Sequence, residues 1–460
     1  MKKVLFRKLS EGGLDGLIDN SQIKVTDSKT LSTNKGEIKV GGDLSDDMCK
    51  KFVSYIENFK GDVFDTSTLG KTKQTCEPEL KPNLKPQSSP PKYMPLNEFM
   101  QAEARTLVEK MVDLGVLKKS TLPANSTIFI VQKTSGKWRL ICDLRHYNDR
   151  LNDFVVHLPS PFELINKITK FLMYSYMDYP DAYFSVPLSD YSMKNNPVVA
   201  SVSGMSYNFQ YERMPQGLKP ATACFINILN EIYAPIQEFV VNYLDDSVVG
   251  SDDDENVHFN QLKRFIQITN DAGLKLSLAK CVFFTKNINF LNYTVTHNSW
   301  SISDNQRATI NALNTDNLTQ TKRESLAAFI THFSRFDLGV SNAARKIRSP
   351  TTSADSIKSI LENIKRKLVE APALKSANFN DDLLIYTDAS DFDCSGVVFQ
   401  RSSKTGELEL VTCFSRNVLA LVMVYKVLNL RQVFFVFLAG CSFSAFICKQ
   451  LRSGICVPAH

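Results

Sequence analysis

An α+β fold is what this chain predicts, on three observations. Strand-like runs and helical periodicities are interleaved irregularly, which disfavours a βαβ array. No segment repeats. The composition, 43% hydrophobic and 22% charged over 460 residues, is that of a globular protein with a sizeable core. The net charge of +6 suits a polyanionic partner without requiring one. Ten cysteines are scattered with no C-x-x-C pair, so neither a disulfide framework nor a zinc site is expected, and a reducing compartment is. The N-terminus MKKVLFRKLSEGG has no apolar run behind its charges and does not read as a signal peptide. The most apolar stretch, Val433–Cys448, falls short of the roughly 20 residues a membrane helix needs, so no stable membrane association is expected.

Residues 1–80 are polar and weakly periodic and read as an N-terminal extension or linker, followed by a proline-rich segment at Lys81–Pro95. A helix then opens on Asn97 as N-cap, carries Met100, Ala104, Leu107, Met111 and Leu114, and stops at Gly115. Thr127–Gln132 and Trp138–Cys142, separated by Thr134–Lys137, predict a hairpin. Pro161 opens a short helix, and Phe171–Met177 is a strand delivering Asp178. Pro220 opens a helix that Pro235 stops. Phe239–Val249 is the most β-prone segment, broken at Asp245–Asp246–Ser247, and a helix ending near Gly273 follows. Helices are predicted near 321–337 and 355–369, then a strand Leu383–Tyr386 leading into Asp388.

The chemistry concentrates at Tyr243–Leu244–Asp245–Asp246. Adjacent carboxylates at a hairpin tip repel each other, and strands avoid Asp. A divalent cation removes that cost, since Mg²⁺ takes carboxylate oxygens and keeps positions open for phosphate. Alone, the pair would read as a solvated turn. With Asp178 at the end of another strand, it becomes three carboxylates from two strands, a set able to hold two cations. Asp252–Asp253–Asp254–Glu255 reads instead as an acidic helix N-terminus.

These residues resemble the reverse transcriptases of LTR retrotransposons and retroviruses, of the Gypsy-like kind. Tyr-Leu-Asp-Asp matches the family's Tyr-x-Asp-Asp, and Asp181–Leu188 resembles the segment following its first catalytic Asp. Met214–Ala221, MPQGLKPA, resembles its [LM]-P-x-G-x-x-x-[AS] motif. Lys133–Asn148 resembles the fingers motif K-x-x-G-x-W-R-x-x-x-D-x-R-x-x-N. Ala272–Leu276 with Lys280–Cys281 matches the later palm segment, and Phe290–Leu291–Asn292–Tyr293 stands at the primer grip, Asn292 replacing Gly. Six motifs stand in order, and the resemblance runs from about residue 50 to 345.

The resemblance implies a right-hand polymerase: fingers, a palm of antiparallel sheet backed by helices, a helical thumb, and then a partial ribonuclease-H-like α/β segment. The implied divisions are 1–80 as extension, 81–300 as fingers and palm, 301–375 as thumb and connection, and 376–460 as the ribonuclease-H-like segment with a divergent apolar tail. Asp178, Asp245 and Asp246 would be catalytic and ligate two Mg²⁺, Mn²⁺ substituting. Lys133, Arg139, Tyr183, Gln216 and Gly217 would bind the dNTP, Arg139 through a forked contact and Tyr183 as a steric gate against the 2′-hydroxyl. The partners would be primer–template RNA or DNA and dNTPs, in the cytoplasm, in virus-like particles or in the nucleus. Pro180, beside the first Asp, fixes φ where the family tolerates adaptable residues.

Leu383–Gln400 resembles the opening strands of a ribonuclease-H domain, with Asp388 at its first metal-binding Asp. From Asn417 to His460 there is no Asp or Glu, so ribonuclease H activity is expected to be absent, as after a truncation or frameshift near 417. The competing reading is a decayed or domesticated retroelement copy that binds nucleic acid without catalysis. An RNA-templated RNA polymerase fits less well, because Tyr183 fills the gate position.

Overall fold

Local sequence signals set most element ends in the computed structural model, which describes residues 28–81, 96–132, 136, 138–152, 159–315, 318–378, 380–389, 393–403 and 405–417. The Asn97 side chain caps helix Glu98–Asp113 by accepting from the Met100 N–H at 2.8 Å, and Gly115 leaves it at a φ of 66°. Ser160 and Glu163 form a capping box on helix Pro161–Ile168, with Pro161 in its first turn. Asp254 caps helix Glu255–Asp271, and Glu255 lies in its first turn, the arrangement expected of that acidic run.

Of the described residues, 28–152 and 171–288 form one compact unit, and 159–170 with 289–417 form another. The first unit contains two sheets. Its six-stranded sheet runs Ser28–Thr33, Gly36–Gly41, Val282–Thr285, Met173–Asp178, Asp246–Ser251, Val240–Tyr243. All neighbours are antiparallel except Gly36–Gly41 with Val282–Thr285. Helices Asp46–Asn58, Ala221–Tyr233 and Glu255–Asp271 pack on this sheet. Phe52 seals one end, its ring centroid 4.8 Å from Phe283 and 5.1 Å from Phe284. Tyr233 stacks on Phe265 at 4.8 Å. Removing a fully buried ring such as Phe52 would cost about 3–5 kcal/mol.

Residues 28–58, read from sequence as part of an extension, are integral to this sheet. The misreading has a physical cause: their hairpin is held by parallel pairing to a strand more than 200 residues later, Lys39 against Val282, which local periodicity cannot register. The second sheet runs Leu117–Ser120, Asn208–Tyr211, Val199–Val202, Ser126–Gln132, Trp138–Asp143. Its last two strands are the hairpin the sequence predicts, Gln132 opposite Trp138.

In the other unit, helix Pro161–Ile168 packs on residues far along the chain. The Thr169 carbonyl accepts from the Asn298 N–H at 2.8 Å, and the Phe162 ring lies 5.6 Å from Trp300. Around it stand helices Asp304–Ala312, Gln320–Thr331, Gly339–Arg348 and Ala354–Val369 and the sheet Asn287–Phe290, Tyr293–Thr296, Ser299–Ile302, Leu374–Lys375. The predicted helix near 321–337 ends at Thr331; the helices at 304 and 339 were not anticipated. Leu291 and Asn292 turn the first hairpin at φ of 51° and 71°. Two consecutive positive values are what a tight hairpin turn demands, and Asn meets them where Gly is absent. A three-stranded sheet, Asp382–Ala389, Asp393–Arg401, Leu408–Asn417, closes the described chain. Among the described residues no helix is long and apolar enough to cross a membrane; Val433–Cys448 lies outside them.

Candidate active site

Strand Met173–Asp178 occupies the middle of the six-stranded sheet and is buried until its last residue, Asp178. Its neighbour Asp246–Ser251 pairs antiparallel in a register that sets Asp246 opposite Asp178. Asp246 also pairs with Tyr243, so Leu244 and Asp245 make a two-residue turn. Leu244 takes a φ of 56°, a left-handed conformation unfavourable for a bulky side chain, and strain of this kind persists where surrounding pairing over-determines it. Asp245 is thrown into solvent at the tip, while Asp178 and Asp246 are half-buried. Asp181, after Pro180, also takes a left-handed conformation, φ 49°, which Asp tolerates better than most residues.

A single turn grips Asp178 at three points. The Ser277 N–H donates to its carbonyl at 3.0 Å, its own N–H donates to Cys281 Sγ at 3.5 Å, and Lys280 Nζ reaches Oδ2 at 3.2 Å. Asp246 Oδ1 accepts from the Tyr176 hydroxyl. Burial pushes the Asp178 carboxyl upward against the pull of Lys280, with Asp245 adding repulsion. Burial pushes Asp246 up to about 7, opposed by the Tyr176 hydrogen bond and reinforced by Asp245 and Asp178. Among the described residues no three carboxylate, imidazole or thiol groups are gathered into a ready-made metal cage. The three aspartates are neighbours whose side chains are partly engaged elsewhere. Their chemistry still fits a divalent cation: hard oxygen donors, partly desolvated and mutually repelling, with one ammonium against them.

The remaining candidates divide. Arg139 and Gln216, distant in sequence, meet: the guanidinium donates to Gln216 Oε1. Gly217 sits at a φ of 86°, and Asn148 brackets this loop, donating to the Gly217 carbonyl at 2.9 Å and accepting from the Lys219 N–H at 2.8 Å. Tyr183 lies in the short helix Ala182–Ser185, its ring 5.6 Å from Phe225. Lys133 lies outside the described residues. Asp388 is in strand Asp382–Ala389, opposite Ser395. Asn148, Lys280 and Cys281 appeared in the sequence only as motif letters, and Tyr176 did not appear at all. Its one signal was its place two residues before Asp178, on the same face of the strand.

Solved structures share this architecture. The foamy viral protease-reverse transcriptase in complex with RNA/DNA hybrid matches with a TM-score of 0.66 at 17% identity, over 82% of this chain and 50% of that one. The same viral protein in complex with dsDNA matches at 0.69 and 17%, over 84% and 83%. Residues 131–295 match the family described as reverse transcriptase (RNA-dependent DNA polymerase), and residues 355–433 match the RNase H-like domain found in reverse transcriptase. The chain thus contains a segment that matches the reverse-transcriptase family, followed by one that matches its RNase H-like domain. Similar proteins include the retrovirus-related Pol polyprotein from transposon 297 of Drosophila melanogaster, 26% identical over 67% of this chain and 30% of that protein. The enzymatic polyprotein of Cauliflower mosaic virus (strain Strasbourg) is 24% identical over 83% and 59%. The chain therefore spans between 30% and 59% of the length of these relatives.

Proposed function

We propose that this chain is an RNA-directed DNA polymerase that extends a primer on an RNA or DNA template by two-metal nucleotidyl transfer. The register pairing of Asp178 with Asp246, one residue from the exposed Asp245, is the observation that carries the reading. Asp178, Asp245 and Asp246 would hold Mg²⁺, or Mn²⁺ in its place. Bound there, the cations would lower the barrier by activating the primer 3′-hydroxyl and offsetting charge on the leaving pyrophosphate.

The chain's own residues supply position. The turn around Ser277–Cys281 fixes the backbone of Asp178. The strained Leu244 turn presents Asp245 outward. Arg139 would engage the triphosphate in a forked contact, held ready by Gln216. Asn148 holds the Gln216–Gly217 loop against which the nucleotide would rest. Tyr183, wedged by Phe225, would lie under the sugar and exclude a 2′-hydroxyl. The divisions 81–300 as fingers and palm, 301–375 as thumb and connection and 376–460 as ribonuclease-H-like belong to the same proposal.

The test is primer extension on poly(rA)/oligo(dT) with Mg²⁺. Asp178→Asn, Asp245→Asn and Asp246→Asn should each abolish most extension while primer–template binding survives, because binding rests on basic contacts to phosphates and weakens with salt. Near wild-type turnover by Asp178→Asn would show the two-metal assignment to be wrong.

A further inference from the structure

The geometry points to Tyr176 as a positioning residue that orients the Asp246 carboxylate for a divalent cation. This rests on the polymerase reading of Asp178, Asp245 and Asp246. Tyr176 and Asp178 are two apart on one strand and so face the same side of the sheet. Across the pair, Val248 stands opposite Tyr176 and Asp246 opposite Asp178. Tyr176 and Asp246 are therefore diagonal neighbours on that face, a separation that a long aromatic side chain can span. The Tyr176 hydroxyl does span it, donating to Asp246 Oδ1. The residue is only 5% exposed, with Val282 opposite it on its other side, so the phenol cannot swing away into solvent.

The two half-buried carboxylates are thus held by different chemistry. Asp178 is held by an ammonium, which a cation must displace. Asp246 is held by a neutral donor, which adds no repelling charge, occupies one oxygen and leaves Oδ2 to a ligand. Tyr176 therefore keeps the carboxylate aimed.

The test compares wild type, Tyr176→Phe and Asp178→Asn in two measurements: Mn²⁺ binding by electron paramagnetic resonance without nucleotide, and extension rate against Mg²⁺ concentration. Tyr176→Phe keeps the ring and removes only the donor. It should weaken Mn²⁺ binding and raise the Mg²⁺ midpoint by about tenfold, the usual scale for losing a hydrogen bond to a charged group. Primer–template affinity should stay unchanged. Unchanged Mn²⁺ affinity and Mg²⁺ midpoint in folded Tyr176→Phe, with Asp178→Asn inactive, overturns the assignment while leaving the polymerase reading intact. Wild-type turnover by Asp178→Asn removes the reading and the Tyr176 role with it. Should Tyr176→Phe fail to fold, the wild-type protein decides: Mn²⁺ should perturb the tyrosine ultraviolet spectrum, and Asp246→Asn should abolish that change. No perturbation in wild type overturns the role.

Discussion

Lys280 Nζ lies 3.2 Å from Oδ2 of Asp178, placing a fixed positive charge where the proposed chemistry needs a metal ion. The lysine side chain is 64% exposed and the aspartate 21%. A pair so open to water adds roughly 0–1 kcal/mol to stability, so its consequence lies in competition for the carboxylate. We expect Lys280→Met to leave the melting temperature nearly unchanged and to lower the Mg²⁺ midpoint of primer extension by about threefold, since a nearby like charge disfavours a bound cation. A midpoint that stays put or rises would show that the lysine does not compete.

Asp246 gives the site a pH signature. Its folded-state carboxyl is raised to about 7, above its unfolded value, so the folded chain binds the proton more tightly. That contribution to stability is fully present below the unfolded carboxylate value and is lost as pH rises through about 7. A cation on the ionised site would restore stability above that pH. Mg²⁺ should therefore raise the melting temperature more at pH 8 than at pH 5.5, and Asp246→Asn should flatten the difference. Equal Mg²⁺ shifts at both pH values would contradict this.

His258 carries the opposite sign. It is fully buried between the hydroxyls of Ser175 and Ser251, at 2.7 and 2.8 Å, and burial holds it down at about 3. A neutral, depressed imidazole contributes stability above its unfolded value that is lost as pH falls from there toward about 3. His258→Ala should destabilise by about 2–4 kcal/mol, through lost packing and the loss of its two hydrogen bonds to serine hydroxyls, and should remove this acid-limb slope from urea unfolding. Acid-limb curves that superimpose on wild type would refute the assignment.

Tyr183 should govern sugar choice. Its ring is fixed against Phe225, so it cannot yield to a 2′-hydroxyl. Tyr183→Ala should raise ribonucleotide incorporation by about a hundredfold, each factor of ten corresponding to ~1.4 kcal/mol of lost exclusion. The measurement is single-nucleotide insertion of rNTP against dNTP, and unchanged discrimination would remove the gate.

Ribonuclease H cleavage should be absent. Asp388 pairs with Ser395 across its sheet, and Ser395 in turn pairs with Ser415, so among the described residues no carboxylate stands directly opposite Asp388. Glu409, on the same sheet, is tied to Lys375 at 3.3 Å. A two-metal site needs several converging carboxylates, and none is paired with Asp388 among the described residues. A labelled RNA–DNA hybrid incubated with Mg²⁺ or Mn²⁺ should stay intact; cleavage lost in Asp388→Asn would reverse the conclusion.

Local chemistry made much of this protein legible in its sequence. The cap at Asn97, the acidic helix start at 252–255, the Pro161 helix start, the hairpin of Thr127–Gln132 with Trp138–Cys142 and the broken strand around Asp245 all follow from signals confined to a few neighbouring residues, and each appears in the structure. The aspartates were found the same way, since two carboxylates against apolar strands call for an explanation. Only the tertiary structure decided what depends on contacts between distant segments. It drew residues 28–58 into the six-stranded sheet, joined 159–170 to the unit that begins at 289, set Asp246 opposite Asp178, and turned Lys280 and Tyr176 onto those carboxylates. Pairing register and diagonal side-chain reach are properties of strands brought together across the chain, and no window of local sequence contains them.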